Sequence, residues 1–317
     1  MSTAAQQEDQ GSGTRATGRR FQKGSPRPEA LPVIEASRKV AGSLDVPVVL
    51  PGGLTTLSAS SILRFERCRE SFLRHQIKRE RELTNARMAM GTAVSNAVTS
   101  HLIARRDDRD PGIDRFVERA MAELKSELRE AVCTARERKA SEEAVRSGVE
   151  AYAEEVVPLL DEADLEVLAV EREVRFRFPN TEWSVLGYID IETSGPVIDV
   201  KFGKKHKSEA EAHFGLQASL YILARFLEGS DPSAGFVFHS GRTTKPKEGG
   251  RWRVVPEDAP SPRTEIQLEA LMGHIAHVAR EIATCAETGD WGYSTEGWWC
   301  SPNVCPFHSS CPAGGLR

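Results

Sequence analysis

The stretch that decides the fold is WSVLGYIDIETSGPVIDVKF, residues 183–202. It contains two runs that alternate apolar and polar residues, WSVLGYIDIE and VIDVKF, separated by Thr-Ser-Gly-Pro. Alternation with a period of two predicts β-strands, and a short connection containing Gly predicts that they pair as a hairpin. We expect Ser194 and Gly195 to form the turn, because two-residue turns are the commonest hairpin connections.

This turn fixes the register of the hairpin. Ile191 then faces Ile198 across the two strands. Ile189 faces Val200 in the same way. Both apolar pairs lie on one side of the hairpin and form one coherent surface for the core, which favours this register over a shift by one residue.

The other side of the hairpin carries charged groups. Asp190 faces Asp199 there, with Cβ atoms roughly 5 Å apart. Lys201 lies two residues beyond Asp199, so it points the same way and faces Tyr188. Like charges placed opposite each other destabilise a sheet unless something neutralises them.

A divalent cation neutralises such a pair, and carboxylate oxygens favour Mg²⁺ or Mn²⁺. With the ammonium group of Lys201 beside them, Asp190 and Asp199 predict a site for metal-assisted hydrolysis of phosphodiesters. Lys201 orients the attacking water or offsets negative charge on the phosphate in this interpretation. The alternative is a solvated hairpin face without chemistry, because Asp-x-Lys is a common tripeptide.

The sequence around the hairpin predicts an α/β fold in which helices flank a mixed β-sheet. Amphipathic helical segments precede Asp164, the first of them capped by Ser58. After Asp164, the run LEVLAVEREVRFRF alternates as a half-buried strand does. The hairpin is followed by a helix at 209–227, strands at 234–239 and 251–255, and a helix at 264–288. Helices, a cluster of strands, and then helix, strand and helix indicate a mixed sheet with helical additions.

Composition limits the classes of protein that this chain can be. It has 317 residues with 39% hydrophobic residues, 28% charged residues and a net charge of -4. No run approaches the ~20 apolar residues of a membrane helix, and the polar N-terminus does not resemble a signal peptide. We therefore expect a cytoplasmic protein without a membrane partner, whose six cysteines are thiols or metal ligands. The polar composition of residues 1–53 predicts a disordered tail. We expect residues 54–317 to form the folded domain.

Six short motifs resemble those of a known family, in the order that the family shows. They are LSASSILRFERC at 57–68, GTAVS at 91–95, VLGYIDIE at 185–192, IDVKFGK at 198–204, QASLY at 217–221, and the cysteines of CSPNVCPFHSSC at 300–311. The chain resembles the PD-(D/E)XK nuclease superfamily and, within it, the RecB-like branch that includes the exonuclease of CRISPR adaptation. The resemblance implies a restriction-endonuclease-like sheet, with a helical insertion and a cysteine-rich segment at 298–312.

The resemblance also implies roles for individual residues. Asp190 and Asp199 correspond to the ligands of a catalytic Mg²⁺ or Mn²⁺, together with the main-chain carbonyl of Val200. Lys201 corresponds to the catalytic lysine. Gln217 and Tyr221 match a Gln-x-x-x-Tyr motif that lies beside the site and contacts DNA. Their spacing alone places both on one helix face, although Tyr221 also suits a half-buried core position.

One position departs from the family pattern. The helix after Gly91 normally carries a metal-binding histidine where this chain has Ser95. Ser95 is not an equivalent ligand, although it is able to hold a water bound to the metal. His101 lies about 240° further round the helix and is a poor substitute, so we interpret it as an ordinary surface or packing histidine. This departure motivates the alternative of a catalytically weak or inactive DNA-binding member of the fold.

Four cysteines resemble the set that holds a [4Fe–4S] cluster in some members of this branch. They are Cys68 near the N-terminal end and Cys300, Cys305 and Cys311 near the C-terminus. Thiolates are the usual ligands of such clusters. A local Zn²⁺ site is the alternative, with ligands Cys300, Cys305, His308 and Cys311, and it motivates a third candidate function, a zinc-stabilised interaction module.

The implied partner is DNA, bound through its backbone and largely independently of sequence. Basic residues are concentrated near the predicted site, in the first helix, after the hairpin and in a later loop; they include Arg64, Arg67, Arg69, Arg74, Lys204, Lys205, Lys207, Arg242, Lys245 and Lys247. The resemblance implies exonuclease action on single strands or DNA ends, in DNA repair, recombination or CRISPR-type processing. A helicase, recombination or CRISPR partner belongs to the same expectation.

Overall fold

The computed structural model describes residues 48–107, 109, 112–243, 252–255, 260–294, 297–302 and 304–315. All of them fall within one of the two units into which the chain divides, Leu31–Arg317. Residues 1–47 of the predicted polar tail lie outside the described residues. Lys245 and Lys247 lie outside them as well. Val48 and Leu50 are buried in the core, and the Trp183 indole donates a hydrogen bond of 3.1 Å to the Val48 carbonyl.

The centre of the fold is a mixed sheet of six strands with helices on both faces. The strands are β1 Thr56–Leu57, β2 Val167–Arg177, β3 Ser184–Thr193, β4 Val197–Gly203, β5 Phe236–Arg242 and β6 Trp252–Val255. Their order is β1-β3-β4-β5-β6, and β2 also pairs with β3. The β1–β3 and β4–β5 pairs are parallel, whereas β2–β3, β3–β4 and β5–β6 are antiparallel. The predicted mixed α/β class is confirmed.

Nine helices among the described residues surround the sheet. They are α1 Ala59–Arg67, α2 Arg69–Phe72, α3 Ala86–Arg106, α4 Gly112–Glu127, α5 Ala135–Ala151, α6 Val157–Glu162, α7 Glu209–Phe214, α8 Leu216–Leu227 and α9 Glu265–Thr288. Two π-helical segments, Leu73–Ile77 and Tyr152–Val156, extend α2 and join α5 to α6. Within the described ranges, every helix is too short or too polar to cross a bilayer.

The two faces of the sheet pack into different hydrophobic layers. The layer that contains α1, α8 and α9 includes Val197 and Phe236. The layer that contains α3 to α6 includes Ile198 and Val200. Because side chains alternate along a strand, Asp199 and Lys201 share the face of Val197, which α8 covers. The sheet therefore presents the predicted charged groups toward α8.

The predicted hairpin register holds for part of its length. Ile191 is opposed to Ile198, as expected, and Glu192 is opposed to Val197. The expected single apolar surface is wrong, however, because Ile189 packs in the α8 layer whereas Ile191 packs in the α3 layer. The neighbouring β2–β3 pair is irregular at this point. Val170 of β2 faces Ile191 and Arg172 faces Ile189, and Glu171 between them has a positive φ of 47°.

Two helix breaks lie near the predicted motifs, one at Cys68 and one at Gly215. Ser58 caps α1, accepting a 3.2 Å hydrogen bond from the Ser61 N–H, but the helix ends at Cys68, whose backbone is extended. The predicted helix at 209–227 is interrupted at Gly215. A Cβ atom at this position would lie 2.3 Å from the Glu211 carbonyl oxygen, so glycine is required. The break places Gln217 in the first turn of α8.

Candidate active site

The site lies where β3 and β4 separate. β2 occupies one edge of β3, while β1 pairs with Ser184 and Val185 at the start of the other edge. β4 pairs with the far end of this second edge, at Ile191 and Glu192. The edge between these contacts has no paired strand within the described part of the chain. This opening is the fork between β3 and β4.

Asp190 holds the fork open. Its Oδ2 atom accepts a 2.8 Å hydrogen bond from the backbone N–H of Val200. A side-chain carboxylate thus takes the place of a main-chain acceptor, and the predicted opposition of Asp190 and Asp199 does not continue as a regular ladder. The two carboxylates still act on each other electrostatically, because Asp199 raises the pKa of Asp190.

Asp199 and Lys201 form an ion pair beside the fork, in which the aspartate is buried and the lysine side chain is partly exposed. Asp199 Oδ2 lies 2.5 Å from Lys201 Nζ, and Asp199 is fully buried. Apart from this ion pair, Oδ2 has no hydrogen-bond donor among the described residues. Asp199 Oδ1 accepts a 3.1 Å hydrogen bond from Gln217 Nε2. The structure therefore brings three of the predicted site residues into direct contact.

Gln217 joins the ion pair to Tyr221. The Gln217 amide also donates a 2.7 Å hydrogen bond to the Tyr221 hydroxyl, one helical turn further along α8. The Tyr221 ring is buried and lies so close to β3 that a Cβ atom at Gly187 would stand 2.9 Å from its Cε1 atom. Tyr221 thus reaches the site through Gln217, and its ring belongs to the core.

Glu171 is a site residue that the sequence reasoning missed. Its φ of 47° is unusual for a residue other than glycine, and its carboxylate accepts a 3.4 Å hydrogen bond from Thr99 Oγ1 on α3. The hydroxyl of Ser95, one turn earlier on α3, lies near enough to Glu171 to lower its pKa slightly, against the effect of burial. Glu171 interacts electrostatically with Lys201 and Asp199. The hydroxyl at the family's histidine position therefore supports a third carboxylate at the site.

Burial raises the pKa of all three carboxyl groups. Desolvation is the largest cause of the raised pKa of Asp199 and of Glu171. For Asp190, burial and then repulsion by Asp199 raise the pKa to about 8. The pKa of Lys201 is also raised, because attraction by Asp199 and Asp190 outweighs the desolvation of its ammonium group. These shifts show that the site carries more acidic groups than its one ammonium neutralises.

The donor set fits a hard divalent cation. The buried carboxylate of Asp199 lies near the partly buried Asp190 and the more exposed Glu171, and one Asp199 oxygen has only the Lys201 ammonium beside it. Carboxylate oxygens are the ligands that Mg²⁺ and Mn²⁺ prefer. In the arrangement described, however, no three His, Cys, Asp or Glu side chains are close enough to hold one metal ion. Two carboxylates and a main-chain carbonyl make a smaller protein ligand set than this, and Mg²⁺ commonly completes such a set with water.

The four predicted cluster cysteines line one cavity of about 280 Å³. Cys68 is positioned by the break between α1 and α2, and the other three lie in the C-terminal segment. Burial raises the pKa of the Cys305 thiol, and the other three cysteines add to this effect. Arg74 helps to hold the segment, donating hydrogen bonds to Ser310 Oγ and O at 2.6 and 3.0 Å.

Two histidines and two lysines named from the sequence lie outside the fork. His308 also lines the cysteine cavity. However, the predicted Zn²⁺ ligands Cys300, Cys305, His308 and Cys311 are not arranged around a single ion, and neither is any other set of described His, Cys, Asp or Glu side chains. His101 is buried and stacks on Phe116 with ring centroids 4.5 Å apart, which confirms its interpretation as a packing residue. Lys204 and Lys205 are exposed after β4.

The mixed sheet, the two aspartates and the lysine at the fork form the constellation that the sequence motifs predicted. Comparison with protein families agrees: residues 56–312 match the model of the PD-(D/E)XK nuclease superfamily. This match covers more than half of the chain, so the chain belongs to that superfamily, whose members generally hydrolyse phosphodiester bonds. No curated protein matched the chain in a sequence search.

Proposed function

We propose that the protein is a deoxyribonuclease of the RecB-like branch that requires Mg²⁺ or Mn²⁺. One observation carries the proposal, the contact of Asp199 with both Lys201 and Gln217 at a fork held open by Asp190. Removing carboxylates such as the buried Asp199 from water costs stability, and groups with strongly shifted pKa values concentrate at functional sites.

The side chains divide the work of hydrolysis. Asp190, Asp199 and the Val200 carbonyl would hold the cation, which supplies polarisation of the scissile phosphate and acidification of water when bound. Lys201 places a positive charge where negative charge develops on the phosphate. Gln217 orients the Asp199 carboxylate through Oδ1, leaving Oδ2 toward Lys201. Ser95 and Thr99 orient Glu171 in the same way from α3.

Nuclease assays test this proposal. Purified protein is expected to cleave labelled DNA in Mg²⁺ or Mn²⁺ and to leave it intact in EDTA. Lys201→Ala is expected to lower the cleavage rate by about 10²–10³-fold, because a preorganised charge at the transition state is lost. Arg105→Ala is a matched control, since Arg105 at the end of α3 pairs with the exposed Asp161 of α6. Intact DNA in both metals, with DNA binding retained, would favour an inactive DNA-binding protein.

Glu171→Gly tests whether the strained residue serves the site. Glycine adopts positive φ without strain, so relief of the strained backbone at Glu171 is expected to raise the free energy of unfolding by about 1–2 kcal/mol. Cleavage is expected to fall by about 10-fold or more, since the site loses an acidic group. Thermal unfolding and cleavage rates on the same preparation provide the measurement. A loss of both stability and activity would assign Glu171 a structural role.

The finer features of the proposal come from the RecB-like motifs. We propose that the enzyme acts on single strands or DNA ends. We also propose that it is cytoplasmic and acts together with a helicase, recombination or CRISPR partner. Comparing a linear single strand with a circular one of the same sequence tests the exonuclease mode. Digestion of the linear substrate alone is expected, whereas cutting of the circle would show endonuclease action.

The cysteine cavity belongs to the same proposal as a [4Fe–4S] site formed by Cys68, Cys300, Cys305 and Cys311. A cluster of four irons is larger than one ion, so its thiolates stand further apart than the ligands of Zn²⁺. This larger spacing between thiolates explains how the four cysteines line one cavity although no group of described side chains is close enough together to bind a single metal ion. Arg64 and Arg67 also line the cavity, and their positive charges suit a group carrying four thiolates.

A further inference from the structure

The most exposed large apolar side chain of the described residues lies close to the site. It is Phe214, the last residue of α7, whose side chain is 80% exposed. Gln217, which contacts Asp199, follows only three residues later. Three residues span at most about 11 Å between Cα atoms. An aromatic ring in water therefore stands within this distance of a residue that contacts the Asp199 carboxylate.

The bend that carries Phe214 is held in place by a buried arginine. Arg263 donates a 2.7 Å hydrogen bond to the Ala212 carbonyl of α7 and a 2.9 Å hydrogen bond to Ser219 Oγ of α8. Ser219 Oγ in turn donates a 3.0 Å hydrogen bond to the carbonyl of Gly215, where the two helices meet. One guanidinium thus ties together the helices on either side of the bend, so the backbone at Phe214 is fixed before any ligand arrives.

The ring of Phe214 is oriented by the residue before it. The imidazole of His213 packs against the ring at nearly a right angle, with centroids 4.7 Å apart and planes at 86°. His213 is anchored as well, because its Nδ1 atom is hydrogen-bonded to Ser261 Oγ at 3.2 Å. The same Oγ atom accepts a 3.0 Å hydrogen bond from Arg263. The exposed part of the Phe214 ring is therefore a flat apolar surface with a defined orientation.

The surroundings of Phe214 suit a nucleobase better than a protein partner. Residues 204–214, which lead from β4 to the bend, contain three lysines and two glutamates, and Phe214 is the one large apolar residue among them. A stable protein interface buries about 800 Å² on each partner, far more than a single phenyl ring offers. A single base, in contrast, stacks on a single aromatic side chain, and neighbouring lysines attract its backbone.

We propose that Phe214 is a nucleobase-stacking site, which receives an unpaired base within a few nucleotides of the cleaved bond. This inference rests on the proposed nuclease function, because it takes the strand to lie at Lys201. A base inside a duplex is stacked on its neighbours, whereas the bases of a single strand are able to splay out and stack on aromatic side chains. Phe214 thereby selects single strands or frayed ends, and it does so through a base and not through a phosphate.

Binding to a single strand in EDTA tests this proposal without cleavage. Fluorescence anisotropy gives the Kd of labelled oligothymidylate for the wild-type protein and for variants of Phe214, whose exposure allows substitution without disturbing the core. We expect Phe214→Ala and Phe214→Leu to weaken binding by about 10-fold or more and Phe214→Trp to preserve it, because stacking needs an aromatic face. Tyr293→Ala, the matched control, removes another exposed aromatic ring and is expected to leave Kd unchanged. Wild-type affinity in Phe214→Ala or in Phe214→Leu overturns the stacking site.

Abasic nucleotides separate stacking on a base from contact with a phosphate. An abasic nucleotide keeps its phosphate and lacks its base, and it is moved along the strand one position at a time. The wild-type protein is expected to lose about 10-fold in affinity at one position, whereas Phe214→Ala loses little more there because its stacking ring is already absent.

The outcomes separate this inference from the nuclease proposal. If each abasic position affects the wild-type protein and Phe214→Ala equally, Phe214 does not stack on a base, whatever the cleavage assay gives. If DNA is bound and never cleaved, the nuclease proposal fails while the abasic series still decides whether Phe214 holds a base. A wild-type protein that binds no single strand overturns the stacking site.

Discussion

Asp190→Asn is expected to abolish cleavage and, at the same time, to stabilise the metal-free protein at pH 8. The folded-state pKa of Asp190 is raised to about 8 by burial and by Asp199, above an unfolded-state value of about 3.9. Between these values the folded state binds the extra proton, so the free energy of unfolding falls as pH rises from about 4 to 8. Asparagine carries no such proton and keeps an oxygen for the Val200 N–H.

The size of the effect follows from the pKa difference. One pKa unit corresponds to about 1.4 kcal/mol, and partial hydration of the ionised site reduces the total, so we expect a gain of about 2–4 kcal/mol at pH 8 in EDTA. Cleavage is expected to fall by about 10²–10³-fold or more, because a proposed cation ligand and its charge are lost. Unfolding curves recorded at several pH values, alongside cleavage rates, measure both effects.

A control variant, Asp161→Asn, and the addition of Mg²⁺ test whether the effects of Asp190→Asn are specific to the site. Asp161→Asn alters an exposed carboxylate that pairs with Arg105, and it is expected to change neither the pH profile nor the rate of cleavage. Adding Mg²⁺ at pH 8 is expected to stabilise the wild-type protein and not Asp190→Asn. A variant that is less stable than the wild type across this pH range, or a difference that does not grow with pH, contradicts the assignment.

The hairpin shows how far the sequence alone predicts this fold. The turn and the alternation of apolar residues correctly placed Ile191 opposite Ile198, because both are local properties of a strand pair. They did not predict the fork, since a pattern of alternation assumes that the ladder continues. Its interruption depends on one side chain, the carboxylate of Asp190, competing with a main-chain acceptor for the Val200 N–H.

Glu171 shows what the sequence hides. Within LEVLAVEREVRFRF it is one of several charged residues that alternate with apolar ones. Its importance comes from the β2–β3 register, which places it between the partners of Ile189 and Ile191, and from contacts with α3, more than 70 residues away in sequence. The available signal was an acidic residue on the strand preceding the hairpin. Recognising it required the register of a strand pair whose connection is not a tight turn.

Cys68→Ser is expected to remove iron from anaerobically purified protein and to destabilise it. The wild-type protein is expected to be brown, to absorb broadly near ~400 nm and to hold about four irons with equivalent sulfide. Cys68 lines the same cavity as the three C-terminal cysteines although more than 230 residues separate them in sequence. A cluster held by these four cysteines would crosslink two distant segments, and its binding free energy would contribute to folding. We expect the midpoint of thermal unfolding to fall by about 10 °C or more.

Cys285→Ser is the matched control for this change. Cys285 is a buried thiol of α9, and the cavity lining does not include it, so its replacement is expected to preserve the iron content. Arg74 contacts Ser310 and stacks on Phe307 without any metal, so the C-terminal segment keeps some anchoring in Cys68→Ser and the variant remains measurable. If Cys68→Ser keeps its full metal content, Cys68 is not a ligand. About one zinc per chain, lost in His308→Ala and retained in Cys68→Ser, would assign the metal to the local Cys300, Cys305, His308 and Cys311 set.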